Sequence, residues 1–176
     1  MDANTQLARL TAYMEIRQTL ARYCRGVDRR DAALLKTAYH PDATDDHGNF
    51  KGSGHDFADW IVNLLPELGF GYTTHQITNV LVKLADDVQS AAVETYYASF
   101  HPGKNDAGEQ TMFIAGGRYL DRFECREGNW KIAQRLCTVD WARSEAAVPD
   151  WPGITDFTPI GFMNTDPSYA IFHSIA

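Results

Sequence analysis

No stretch of this 176-residue chain approaches the roughly 20 consecutive apolar residues that a membrane-crossing helix requires, so a membrane-embedded protein is not expected. Positive charge is also scarce. Sixteen Lys and Arg face 23 Asp and Glu, a net charge of −7, with no basic cluster to offset it. A partner carrying a phosphate backbone would be repelled, which excludes nucleic acid as a ligand. Cys24, Cys125 and Cys137 are too few and too scattered for a disulfide framework or a zinc knuckle; they read as free thiols in a reducing compartment. The first ten residues lack the apolar core of a signal peptide, and the expectation is a cytoplasmic protein. Internal repeats and low-complexity segments are missing as well.

What is present suits one domain with a full core. Apolar residues make up 44% of the chain and aromatics 12%, the latter compatible with a fold that lines a deep cavity. Leu7, Leu10, Met14, Leu20, Cys24 and Val27 recur at helical spacing and predict a helix from about Thr5 to Val27, with Gly26 at its fraying end. Asp31 is placed to cap a short second helix carrying Leu34, Leu35 and Ala38. The turn-rich segment from His40 to Gly52 predicts a short hairpin. A third helix begins at Ser53 or Gly54 and ends near Pro66.

Beyond Thr73 the pattern changes to strands: Thr74 to Ala85, Gln89 to His101, Gln110 to Cys125 and Trp130 to Val139. Gly116-Gly117 inside the third of these signals a bulge or sharp bend, as a strongly curved sheet requires. Helices followed by antiparallel strands predict an α+β fold whose helices cover one face of the curved sheet, leaving a conical pocket between the layers. Residues 141–176, with Pro149, Pro152, Pro159 and Pro167 and the aromatics Trp141, Trp151, Phe157, Phe162, Tyr169 and Phe172, read as an extended arm that lids its own pocket or packs on a neighbouring subunit.

Two short motifs carry chemistry. Arg-Tyr-Cys-Arg-Gly-Val-Asp-Arg-Arg-Asp (22–31) ends the first helix with Asp28, and Thr-His-Gln-Ile-Thr-Asn (74–79) opens the first long strand with His75. An imidazole oriented by a carboxylate inside an apolar pocket is a general base. Plainer readings compete: Asp28 as a cap or partner of Arg25 or Arg29, and His75 as a satisfied structural residue. The cluster Asp42, Asp45, Asp46, His40 and His47 has oxygen and imidazole donors, but its spacing follows no known metal loop and turn chemistry accounts for it. No metal site and no cofactor is expected.

With "RYCRGVDRRD", "YHPDATDDHGNFKG", "THQITN" and "GGRYLDRFECREGNWKI", the chain resembles the SnoaL-like branch of the NTF2-like superfamily from about residue 7 to 140. In motif it is closest to the lyase-like members: scytalone dehydratase, hexachlorocyclohexane dehydrochlorinase and bile acid 7α-dehydratase. The resemblance implies a SnoaL-like domain over residues 1–140 with the arm at 141–176, and an NTF2-like cone. It also implies a cofactor-free lyase acting on a hydrophobic cyclic small molecule, with Asp28 and His75 as the catalytic dyad. Tyr23 takes the place of a catalytic tyrosine, with ordinary helix core as the competing reading. Arg135 takes that of an arginine assisting the departing group, unless it pairs with Glu94 or Asp121. A second pocket histidine is implied too, with His101 and His47 both candidates. The resemblance further implies a homo-oligomer, a trimer ahead of a dimer. A double-bond isomerase or cyclase, or an accessory subunit like those of ring-hydroxylating dioxygenases, remains open.

Overall fold

The computed structural model describes residues 2–105, 107–146 and 156–175. Helix α1 spans Ala3–Asp28, α2 Ala32–Lys36 and α3 Gly54–Glu67; β1 spans Tyr39–Asp46, β2 Lys51–Ser53, β3 Thr74–Leu84, β4 Ser90–Lys104, β5 Gln110–Arg126 and β6 Asn129–Ala146. The strands form a single six-stranded sheet in the order β2-β1-β6-β5-β4-β3. Every neighbouring pair is antiparallel except β1 and β6. The expected α+β architecture, helices on one face of a curved sheet, is the one found.

Local chemistry explains the boundaries. The Asp2 carboxylate accepts from the Thr5 N–H at the start of α1, Asp31 from the Leu34 N–H of α2, and Ser53 Oγ from the Asp56 N–H of α3, each satisfying an orphan amide of a first turn. The sheet bends where the β5–β6 register shifts between Gly116 and Gly117. A Cβ on Gly117 would lie 1.9 Å from the Thr138 carbonyl oxygen, so no larger residue permits this approach.

The α1 stripe differs from its sequence reading. Leu20, Cys24 and Val27 are buried as expected, but Leu7, Leu10 and Met14 are exposed, and Ala12, Ile16, Thr19 and Tyr23 complete the buried face. Alanine and threonine hold the buried face because the sheet passes close there; the Thr19 hydroxyl donates to the Trp130 carbonyl at 2.9 Å. Gly26 does not fray the helix. It lies within the last turn of α1, where a Cβ would meet the Cβ of Leu35 at 2.7 Å, so it lets α2 pack against α1.

Strand β6 continues past Val139 to Ala146, because β5 supplies partners as far as Thr111. The expected boundary at residue 140 therefore falls inside a strand. Of the arm, Pro149, Trp151 and Pro152 lie outside the described residues. Its later part is not wholly extended: helix α4 (Pro167–His173) packs on the end of α1. The Tyr169 hydroxyl donates to Asp31 at 2.5 Å, Arg29 pairs with Asp166 at 3.2 Å, and Arg25 lies 4.5 Å from the ring centroids of both Tyr169 and Phe172. This segment clasps its own chain. Among the described residues no helix is long and apolar enough to cross a membrane.

Candidate active site

Asp28 is the final residue of α1 and His75 the second residue of β3. The close passage of α1 against that end of the sheet brings them together. His75 Nδ1–H donates to Asp28 Oδ1 at 2.6 Å, the His75 backbone N–H donates to Oδ2 at 3.0 Å, and the Thr73 hydroxyl donates to Oδ1 at 2.9 Å. Three donors fix the orientation of the carboxylate. With the proton on Nδ1, Nε2 carries the lone pair that accepts a proton; this tautomer follows from the hydrogen-bond network. Thr73, two residues before His75 and just ahead of β3, escaped the sequence reading.

His75, with Asp28 behind its ring, borders a cavity of about 350 Å³ between the sheet and helices α1 and α3. Val27, Phe57, Ile61, Leu65, Phe113 and Val139 supply its apolar walls. Polar groups converge at separate points: His75, His101 and Ser99 at one side, Tyr23 and His47 at another, with Tyr97, Tyr119 and Cys137 along the floor. Such an apolar enclosure with few convergent polar groups is the usual form of a small-molecule site. A wider groove of about 660 Å³ runs past the start of α1, lined by Leu7, Asp86, Gln89 and Trp130 among others. It is more open to solvent and gathers no acid–base set.

His101 packs edge-on to His75, ring centroids 5.6 Å apart. Burial, and then the neighbouring His75, pull the His101 imidazole down to about 4, so it stays neutral near pH 7. His47 behaves oppositely. Burial works against its charge, but the hydrogen bond and charge of Asp45, helped by Cys137, outweigh it and lift the imidazole to about 9. His47 Nδ1 donates to Asp45 Oδ1 in a very short contact, and Asp45 Oδ2 accepts from the Tyr39 hydroxyl at 2.5 Å.

Tyr23 lines the cavity, its hydroxyl 3.3 Å from His47 Nε2. Burial pushes this phenol well above its ordinary value, against the pull of Arg135. Arg135 stands one layer behind the lining. Its guanidinium makes a two-pronged ion pair with Asp121 (2.7 Å at Nε and at Nη2) and lies 4.1 Å from the ring centroids of Tyr23 and Tyr119. Of the two partners weighed for it, Asp121 is the one found, while Glu94 binds Arg118. The guanidinium is held by a buried carboxylate through Nε and Nη2 and covered by two rings, and its Nη1 is buried without a hydrogen-bond partner among the described residues. Arg135 is absent from the cavity lining, so it does not reach a departing group directly.

The acidic cluster disperses. Asp42 pairs with Arg126, Asp46 with Lys51, and His40 Nε2 with the Glu124 carbonyl, while Asp45 alone turns inward with His47. Among the described residues no group of three or more His, Cys, Asp or Glu side chains is arranged to hold a metal ion.

The opposite titrations of the two histidines predict a bell in stability. The unfolded chain binds a proton near pH 6.5 that native His101 refuses, so stability falls as pH drops from about 6.5 through about 4. His47 contributes fully below about 6.5, and its contribution is lost as pH rises through about 9. Melting temperature against pH should show both limbs. H101F should flatten the acid limb and H47F the alkaline one; limbs unchanged in the variants would refute the assignments.

Comparison with known proteins agrees with this architecture. The SnoaL-like domain matches residues 8–136. No curated protein sequence matches the chain significantly. Among solved structures, a type 2 hexachlorocyclohexane dehydrochlorinase (LinA) superposes with a TM-score of 0.73 at 19% identity, covering 85% of this chain and 99% of that one. A scytalone dehydratase-type protein from Novosphingobium aromaticivorans gives 0.66 at 17% identity, covering 82% and 93%. A protein of the aromatic-ring-hydroxylating dioxygenase beta-subunit type from the same organism gives 0.59 at 19%, covering 77% and 93%. At these identities the structural likeness speaks for the fold. With the SnoaL-like domain matching across most of its length, the chain belongs to the SnoaL-like family.

Proposed function

We propose that this protein is a cofactor-free lyase that eliminates a small group from a hydrophobic cyclic compound, with His75 as general base and Asp28 as the group that orients it. The 2.6 Å Asp28–His75 contact at the wall of an apolar cavity carries the reading. A pure binding site gains nothing from a carboxylate fixed by three donors behind an imidazole, whereas proton abstraction from carbon gains both the tautomer and stabilisation of the imidazolium that forms. His75 Nε2 takes a proton from a carbon next to a carbonyl or a leaving group, a double bond forms, and the leaving group departs. Tyr23 donates to that group, and Arg135 adds positive charge from behind the Tyr23 ring.

The names of the dehydrochlorinase and the scytalone dehydratase-type protein describe eliminations and support the reaction class. Homo-oligomerisation through the outer face of the sheet belongs to the same proposal. Leu81, Tyr96 and Leu136 are exposed on that face, and burying them against further copies would be favourable.

The test is incubation of the purified protein with cyclic ketones bearing a hydroxyl or a halogen β to the carbonyl. The expected result is growth of the ultraviolet absorbance of the conjugated product. A full panel turning over no faster than in buffer would count against elimination.

A further inference from the structure

The molecule holds a second carboxylate–imidazole pair whose purpose the base does not explain. Asp45 is 2% exposed, and its ion-pair partner among the described residues is His47. A buried carboxylate demands a countercharge, and Tyr39, its other partner, offers only a neutral hydroxyl. His47 therefore carries the positive charge. Its second nitrogen, Nε2, is directed at Tyr23, and both side chains line the cavity that His75 lines. The groups around His47 are Tyr23 from α1, Tyr39, Asp45 and Asp46 from β1, the Phe57 ring of α3 stacked at 4.3 Å, Tyr119 and Asp121 from β5, and Cys137 from β6. Asp121 is already matched by Arg135, which leaves Asp45 to hold His47.

We infer that Asp45, His47 and Tyr23 form an acid relay facing the His75 base, and that the group leaving the substrate is a hydroxyl, expelled as water from a β-hydroxy carbonyl compound. The inference rests on the elimination reading above and narrows it. A halide departs without a proton and needs no such relay; a hydroxide is too basic to depart unprotonated. Tyr23 alone is a poor source. Burial raises its phenol well above the ordinary value, so a free tyrosinate would be costly in this site. His47 removes the difficulty by replacing the phenolic proton as it leaves.

The step balances. His75 Nε2 takes the proton on carbon, and the C–H electron pair becomes the new double bond. The C–O bond breaks with its pair on oxygen. The Tyr23 proton moves to that oxygen and completes water, while His47 Nε2–H moves to the Tyr23 oxygen. The enzyme is left with His75 charged and His47 neutral, and one proton lost and one gained through solvent restores it.

Binding of a probe tests the relay apart from the base. 4-Nitrophenolate presents an anionic oxygen to the donors, and 4-nitrotoluene is an apolar match of similar shape. At mildly alkaline pH, below the titration of His47, the wild type should prefer the phenolate. H47Q and D45N should each weaken phenolate binding tenfold or more while holding nitrotoluene within about twofold, which also reports an intact cavity. Y23F should weaken the phenolate yet leave His47 protonated by ¹⁵N NMR. No preference for the anion in the wild type, or unchanged phenolate affinity in H47Q, overturns the relay. Loss of the base reading would show instead as elimination surviving H75A, so the two failures are separable.

Discussion

Asp28→Asn and His75→Ala are each expected to lower kcat for elimination by roughly two to four orders of magnitude, with KM changed only a few-fold. The split follows from what each residue does. His75 takes the proton in the transition state, so its loss removes an interaction that substrate binding never uses. Asparagine at 28 keeps one oxygen, which can still accept from Thr73 and the His75 ring at the place of Oδ1. Its amide nitrogen cannot accept from the His75 backbone N–H that Oδ2 received. What it removes is the negative charge opposite the ring, and with it the stabilisation of the imidazolium. Both variants should fold, because asparagine carries no charge and, without the imidazole, the Asp28 carboxylate keeps the Thr73 hydroxyl and the backbone N–H of residue 75. Stopped assays on the hydroxy ketone that turns over fastest would measure the effect. Near-normal kcat in either purified variant would remove the general base.

The second large effect is on stability. Arg135→Leu is expected to cost about 3–5 kcal/mol, because it strands the Asp121 carboxylate, whose side chain like that of Arg135 is fully buried. Burial already pushes Asp121 upward, opposed by the Arg135 charge. Without the guanidinium the carboxyl should take up a proton, so the penalty should shrink in acid. The double variant R135L/D121L should recover most of the loss, since two apolar side chains then fill the space. Urea denaturation at two pH values would show both effects. A single-variant cost below about 1 kcal/mol would mean that the pair is not a buried ion pair in solution. The pair also matters to the site, because Arg135 lies between Tyr23 and Tyr119 and fixes the rings that form one wall of the cavity.

Much of this molecule was legible from local chemistry. Asp31 and Ser53 announce helix starts because a short side-chain oxygen satisfies an amide within its own turn, and Gly116-Gly117 announces the bend because two missing side chains leave room for it. The α1 stripe misled for a physical reason. Leu7, Leu10 and Met14 are apolar enough to suggest a buried face, yet the buried surface is set by how closely the helix meets the sheet, and there Ala12 and Thr19 fit. Leucine at an exposed site is ordinary. Gly26 looked like an end signal because glycine serves both terminations and close contacts, and only the position of Leu35 separates them.

The amino-acid order by itself determined the succession of helices and strands, the curved α+β layout and the two residues worth pairing, because each depends on spacing within one element or on a motif. Tertiary structure alone decided that Asp28 and His75 touch, that Thr73 secures them, that Arg135 turns to Asp121, and that Asp45 turns from an acidic turn to hold His47 at the cavity. Those contacts join residues on different elements, or depend on which face of β1 turns inward. Distance and burial, which set the strength of each charge, do not exist until the layers close.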